Sequence, residues 1–418
     1  MTAGLAGVAR RAGVATLLAL AAGLGLAACG GGGGGSSGGG STPLAPVVGS
    51  NQLLVTVASN PDVTAQYPSL ATVNIPYVSV TVCDSSNQCK TIDHIVLDTG
   101  SYGLRVLQGA LGGLNLPADT VSGTQQLGEC ARFLSGYIWG SVAHATLHLG
   151  GETTSSLPIQ VIGASSLPSV PTDCASTGSD VGSLRGLQGN GLLGVGQFVS
   201  DGGVYYSCTS STCSKLNPQP ASSSMVSNPV FYLQSADNNG VVVQMPGIPG
   251  GGAGTTYGVL SFGVGTQADN SVSGFQVLPA DPWGNLTVNL RGIDYPGSFI
   301  DSGSNFYFAP LSGVVPTDSA GNFTPQAPLD LPITLKSSAG ASYPASMDSQ
   351  MTLGDYSSMD FTRNVAFNDI GATDGNPTPV TSSTVVDLGM PYFYGRSIAY
   401  VIHGMPSPVG TGPLYAIH

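Results

Sequence analysis

Two short stretches carry the residue types for one kind of chemistry: Asp98-Thr99-Gly100-Ser101 and Asp301-Ser302-Gly303-Ser304. Each follows an apolar run, His94-Ile95-Val96-Leu97 before the first and Ser298-Phe299-Ile300 before the second. Both read as loops that bring one carboxylate each to the same place. Two carboxylates about 3 Å apart cannot both ionise cheaply, so one keeps a proton near neutral pH or below. One is then a general base for water and the other a general acid for a carbonyl oxygen, and the pair titrates as a unit. The neighbouring residues suit that task. Gly100 and Gly303 let the backbone turn tightly and bring an N–H to a carboxylate. Thr99 and Ser302 can hydrogen-bond across to the partner loop, while Ser101 and Ser304 can donate to the outer carboxylate oxygens. A single Asp-x-Gly is ordinary turn chemistry; the signal is the second copy, placed like the first after an apolar strand.

From about Thr72 to the C-terminus the chain resembles the pepsin-like aspartic peptidases, whose two lobes each contribute one Asp-[Thr/Ser]-Gly-[Ser/Thr]. In that family an apolar-apolar-Gly segment passes behind each catalytic loop. Leu192-Leu193-Gly194 matches it in the first half, and Leu388-Gly389, followed by Met390-Pro391-Tyr392-Phe393, resembles it in the second. Asp98 to Gly194 spans 96 residues and Asp301 to Gly389 spans 88, so the halves have similar internal rulers. The resemblance implies a mainly β fold: a two-lobed double β-barrel with a central cleft and a β-hairpin flap over it. It implies an N-terminal lobe over 72–217 and a C-terminal lobe over 218–418, with Pro229–Leu233 and Gly258–Gly263 as opening strands of the second. It also implies a peptide or protein substrate.

The chain departs from the family at three places. Asp387 stands where the family has an apolar residue, and one extra residue lies between Gly389 and Phe393. Ala131 to Gly151 resembles the flap hairpin; Gly136 matches a flap glycine, but Phe133 falls where the family has Tyr, with Tyr137 close by as a possible substitute. Arg105 falls where the family has a Trp that supports the flap Tyr. That arginine could stack on the Phe133 ring, sit near the cleft and favour acidic substrate groups, or point to solvent.

The elements that must position these residues are short strands. Among 418 residues 8% are charged, with 61 Gly and 29 Pro, which argues against long helices. Ile75–Val82 and Lys90–Leu97 read as paired strands, Leu286–Gly292 leads toward Asp301, Gly389–Ile402 reads as a closing strand pair, and Asp201–Asn228 as a Ser/Pro-rich linker. The formal charge is −12 without any Lys/Arg stripe, which excludes nucleic acid as an expected partner.

Residues 1–29 read as an export signal: Arg10-Arg11, an apolar stretch from Ala12 to Ala27, then Leu26-Ala27-Ala28-Cys29, which resembles a bacterial lipoprotein lipobox. Cys29 would carry the lipid. The other reading is an ordinary cleaved signal with an incidental Cys. With Gly30 after the Cys, lipidation implies the bacterial cell envelope, and the outer membrane within it. Residues 30–71 read as a tether and N-terminal extension, Gly/Ser-rich to Ser41, with one strand at Leu53–Val57. No Lys or Arg occurs between the signal and Lys90, so no cationic pro-segment is expected. Six cysteines then remain, an even number suited to disulfides in an exported chain. Cys83–Cys89 and Cys208–Cys213 are close enough to clip local loops, which leaves Cys130–Cys174. The histidines form no His-Glu-x-x-His, and there is no Cys-x-x-Cys, so no metal or other cofactor is expected; His144 and His148 read as surface residues.

Three functions remain open at this stage. The first is a monomeric aspartic endopeptidase whose water is held between Asp98 and Asp301. The second is a peptide- or protein-binding lipoprotein on the same fold that keeps both Asp but is silent, because the flap Tyr and its Trp partner are absent and Asp387 is buried under the second loop. The third is a structural envelope lipoprotein whose two motifs are coincidental turns. A serine-nucleophile hydrolase lacks its Gly-x-Ser-x-Gly elbow.

Overall fold

The computed structural model describes residues 44–373 and 385–418. The signal segment, Cys29 and the Gly/Ser stretch lie outside the described residues. The chain is mainly β, as its composition predicts.

The first catalytic loop is the end of a strand that is progressively covered. Pro76–Cys83 pairs antiparallel with Cys89–Asp98, and the Cys83–Cys89 disulfide closes their turn. The latter strand is exposed at its start and buried over its last four residues. The reason is the strand Gly191–Val195, which lies parallel to it with Leu193 opposite Leu97 and Gly194 opposite Asp98. After the loop, Tyr102–Leu107 returns antiparallel along the other edge of Gly191–Val195. Gly194 must be glycine, because a Cβ there would stand 2.4 Å from the Tyr102 nitrogen.

The second half repeats this arrangement. Ile293–Ile300 leads into Asp301; Asp387–Leu388 lies parallel to it, with Leu388 opposite Ile300 and Asp387 opposite Phe299. Tyr307–Ala309 returns antiparallel, with Phe308 opposite Asp387. By register, Asp387 is the counterpart of Leu192. The apolar residues of both loops' strands, Leu97, Leu193, Ile300 and Leu388, belong to one continuous core.

The hairpin is longer than expected from sequence: Gln125–Phe133 pairs with Gly136–Leu149, with Phe133 opposite Gly136. Three other expectations are corrected. The linker read over 201–228 contains strands Val204–Cys208 and Cys213–Lys215, the first of which pairs with the hairpin strand so that Tyr205 faces Glu129. Its Ser-rich composition hid two consecutive buried tyrosines, Tyr205 and Tyr206. Pro229–Tyr232 is a 3-10 turn and not a strand, because the Asn228 side chain accepts from Val230 N–H and proline follows it at the first helical position. Only Ser397–Val401 of the expected closing pair is a strand; its partners are Gly240–Gln244 and Leu414–Ile417.

The strand Gln52–Val57, assigned from sequence to the extension, is built into the middle of the molecule. It pairs along its whole length with Thr256–Phe262 of the second half, and at its end Thr56 faces Tyr77 of the first. Its alternating Leu53, Val55 and Val57 are buried while the residues between them are half-exposed.

Candidate active site

The two loops meet. Thr99 N–H donates to Ser302 Oγ at 3.1 Å, and Ser302 N–H donates to Thr99 Oγ1 at 2.9 Å. Ser302 Oγ also donates to the Leu97 carbonyl at 2.8 Å. Each hydroxyl oxygen thus satisfies a buried N–H of the opposite loop, which fixes the spacing between them. The carboxyls are held alike. Gly100 N–H donates to Asp98 Oδ1 at 2.8 Å, and Gly303 N–H to Asp301 Oδ1 at 2.8 Å. Ser101 Oγ donates to Asp98 Oδ2 at 2.5 Å, and Ser304 Oγ lies 3.1 Å from Asp301 Oδ2.

Each glycine packs against the other loop's carboxyl. A Cβ on Gly100 would stand 2.6 Å from Asp301 Cγ, and one on Gly303 would stand 2.6 Å from Asp98 Oδ1. The two carboxyls thus come together across the loop contact, where both cannot ionise cheaply. Asp98 is 5% exposed and Asp301 is half-buried, so the pair keeps an opening on the Asp301 side. Asp301 holds its proton well above the ordinary carboxylate range. Burial is the main cause, followed by the charges of Asp98 and Asp387 and the hydrogen bond to Asp98; Gly303 N–H opposes them. Tyr102, beside the pair, is also raised, by burial first and then by both aspartates.

From sequence, Asp387 is a departure buried under the second loop, with no partner assigned to it. The structure places it directly behind the second loop, 4% exposed, with Oδ2 at 2.5 Å from Ser304 Oγ. Burial pushes it up to about 8; the Ser304 hydrogen bond opposes this and the Asp98 charge adds to it.

Arg105 is 1% exposed, so the solvent reading is overturned. Its Nη2 donates to Glu129 Oε1 at 2.9 Å and also to Asp201 Oδ2, and its Nη1 donates to the Tyr102 carbonyl at 2.7 Å. Its guanidinium lies 5.8 Å from the Phe133 ring centre, as the stacking reading expects. The cleft-facing reading falls because the charge is already engaged by two carboxylates. Glu129 is pushed well up by burial; Arg105 opposes this and Asp201 adds to it. Tyr205 completes the cluster, donating to Asp201 Oδ1 at 2.9 Å and accepting from Val226 N–H at 2.8 Å.

Phe133 and Tyr137 lie on opposite faces of the hairpin. Phe133 packs with Ala131 and Ile138. Tyr137 packs with Tyr206 and the Cys130–Cys174 disulfide, and therefore does not substitute for a tyrosine at 133. Behind Tyr137 the short strand Ser179–Asp180 runs parallel to Gly136–Tyr137 and straps the hairpin's outer side. Gly136, at φ +150°, must be glycine, since a Cβ would stand 2.0 Å from the Ser179 carbonyl oxygen. Leu134 at the tip is 81% exposed. Cys208–Cys213 closes the remaining small loop. His144 pairs with Asp119 at 2.8 Å and His148 with Thr153 at 2.8 Å, both on the half-exposed face of their strand.

A family model described as "Protein of unknown function (DUF3443)" matches residues 48–417. No curated protein matches the chain. Among solved structures, the aspartic proteinase from Irpex lacteus is similar over 88% of this chain and 96% of that chain, at 13% identity and a TM-score of 0.44. A likeness at that level leaves the chemistry to be argued from the site itself.

Proposed function

The chain belongs to the DUF3443 family, whose function is unknown, and from its own site we propose that it is an aspartic-type endopeptidase. One observation carries the reading: two carboxyls from duplicated loops each lie against the other loop's glycine, each with an inner oxygen on its own loop's glycine N–H and an outer oxygen beside a serine hydroxyl. Water held between them loses a proton to the ionised member as it attacks a peptide carbonyl. The protonated member gives its proton to the carbonyl oxygen, which makes the tetrahedral intermediate neutral; the member protonated by the water then passes that proton to the leaving amine as the C–N bond breaks, and the other takes back a hydroxyl proton as the new carboxyl forms. Extended peptide lies in the opening beneath the Phe133–Gly136 tip. The shared proton, raised by burial and like charge, sets the working range. Activity needs one proton on the pair, so it falls as pH rises through the upper macroscopic value, above the usual carboxylate range.

The test is cleavage of an unfolded protein between pH 3 and 7, read by mass spectrometry, with inhibition by a statine-containing peptide. Absence of cleavage across that range sinks the proposal. A second reading, a silent binding protein, is favoured by one feature: Phe133 has no hydroxyl and Tyr137 faces away from it. Capture of the inhibitor peptide without any turnover would select it.

We further infer that the protein is a monomer tethered to the bacterial envelope, in the outer membrane, by lipid on Cys29. The support is Leu26-Ala27-Ala28-Cys29 after an apolar stretch and before a Gly/Ser run. Cys29→Ser is expected to lose palmitate labelling and to move the protein from membrane to soluble fractions; labelling that persists in the variant overturns the anchor.

A further inference from the structure

We propose that Asp387 is a positioning residue of the dyad: a neutral carboxylic acid that donates its proton to Ser304 Oγ, which aims the serine's single hydrogen at Asp301. This rests on the reading of Asp98 and Asp301 as the catalytic pair.

The two matched loops differ in the residue behind them. In the first half the residue behind the loop is Leu192, and Ser101 Oγ has one carboxylate to serve, Asp98 Oδ2 at 2.5 Å. In the second half the residue in the same register is Asp387. Ser304 Oγ therefore faces two carboxyl oxygens, Asp387 Oδ2 at 2.5 Å and Asp301 Oδ2 at 3.1 Å. A hydroxyl has one hydrogen and can donate to only one of them. If Asp387 were ionised, that hydrogen would go to the shorter, charge-assisted contact. Asp301 would lose the outer donor that Asp98 keeps, and a second negative charge would stand behind the singly ionised pair. If Asp387 carries a proton, its own O–H fills the shorter contact, Ser304 accepts it, and the serine hydrogen is left for Asp301. Only this arrangement gives both outer dyad oxygens one serine donor each.

The surroundings of Asp387 favour the neutral form. It is 4% exposed, and its Oδ1 is buried without a hydrogen-bond partner. An ionised carboxylate with an unpaired buried oxygen is strongly disfavoured. Among the described residues, no ion pair includes Asp387. The groups facing it are acidic or neutral: Asp301 and Ser304 from the loop, Asp98 from the opposite loop, Phe299 and Phe308 from the strands on either side. Burial first, and then the charge of Asp98, disfavour a charge there.

The consequence is a switch in one hydrogen's direction. While Asp387 keeps its proton, the chain of donation runs Asp387 to Ser304 to Asp301 and supports the ionised form of Asp301. When Asp387 loses it, Ser304 turns away from Asp301. Asp387 touches neither substrate nor water in this account; it acts through Ser304.

The test compares Asp387→Asn, which keeps an N–H donor and cannot ionise, with Asp387→Leu, which restores the residue type of Leu192. With unfolded protein as substrate, Asp387→Leu removes the donor that fixes Ser304 Oγ together with the competing oxygen, and is expected to lose about tenfold in kcat with KM little changed as the serine hydroxyl becomes free to rotate. Asp387→Asn is expected to recover most of that loss, with limbs superimposed on those of the unmodified protein. A downward displacement of the limbs by about one unit in Asp387→Asn would mean that a charge had been removed, and would overturn the proposal.

Thermal melting supplies a readout independent of turnover. An acid whose folded value is raised contributes stability fully below its unfolded value, and this is lost as pH rises toward the folded value. From the displacement to about 8, the window runs from about pH 4 to pH 8. Asp387→Asn should melt with the unmodified protein at pH 3 and become progressively more stable than it up to pH 8. Equal melting throughout overturns the neutral acid even if peptide is cleaved. The expected divergence in a protein that cleaves nothing upholds the proton on Asp387 and removes the catalytic reading alone.

Discussion

Asp301→Asn is expected to abolish peptide cleavage and, at neutral pH, to leave the protein more stable than before. The loss should be at least about 10³-fold in kcat/KM, because the variant removes the group that carries the shared proton and with it the acid–base step. The gain has a separate origin. Asp301 sits half-buried beside Asp98, and desolvation with that neighbouring charge holds its proton well above the ordinary range. Its folded value exceeds its unfolded one, so the stability linked to its proton is complete below the unfolded value and is lost as pH rises. An amide does not titrate and avoids that loss. The two proteins should melt together near pH 3 and diverge by pH 7, with Asp301→Asn the higher. Asp98→Asn should be equally inactive, since either carboxyl alone lacks the partner that shares its proton. Initial rates and melting curves on the same preparations check both halves. Retained turnover in both variants would mean the chemistry lies elsewhere, whereas inactivity with a lowered melting temperature would point to damage in the loops.

The second large effect lies away from the reacting atoms. Arg105→Leu should destabilise the protein by about 3–5 kcal/mol, because it leaves Glu129 and Asp201 buried with no cation between them. Glu129 Oε2 already lacks a hydrogen-bond partner, so the arginine is its main compensation. The deficit should widen with pH as Glu129, whose proton burial holds well up, is driven to ionise. Adding Glu129→Gln and Asp201→Asn to Arg105→Leu should restore much of the loss, since a site without charges needs no counter-ion. Denaturant unfolding of the single and triple variants decides this. Additive losses would show that the cluster is held by packing and not by charge. The cluster joins the hairpin strand, the segment after Gly196 and the carbonyl just beyond the first loop. Loss of hairpin order in Arg105→Leu should therefore appear as a rise in KM at temperatures where the variant is still folded.

The two catalytic loops were legible in the sequence because they are duplicated: a turn motif repeated after similar apolar strands is a stronger signal than either copy. The backing strands were legible from the same duplication, down to Gly194 and Gly389. What could not be read was pairing between side chains far apart in the chain. Arg105 meets Glu129 and Asp201 across 24 and 96 positions, and no local pattern announces either partner. The relation of Asp387 to Ser304 depends on a parallel register that places Asp387 beside Phe299. Sequence reasoning recorded the odd residue type but not its partner. The hairpin's faces were misjudged for a similar reason: proximity of Tyr137 to Phe133 says nothing about which side a strand presents until the pairing is known. The segment from 204 to 215 was hidden by composition, since serines and a small cystine loop surround Tyr205 and Tyr206, whose burial comes from the neighbouring hairpin.

The central placement of Gln52–Val57 changes what severing the polypeptide can do. The front of the chain is stitched into the rear body along six consecutive residue pairs. A nick anywhere between 217 and 228 would break the backbone without parting the two pieces, because each retains a strand woven against the other. A C-terminal fragment produced by itself would instead show the bare rim of Thr256–Phe262, a sticky border that invites like fragments to clump. The waist of the molecule is thus not a seam along which it divides.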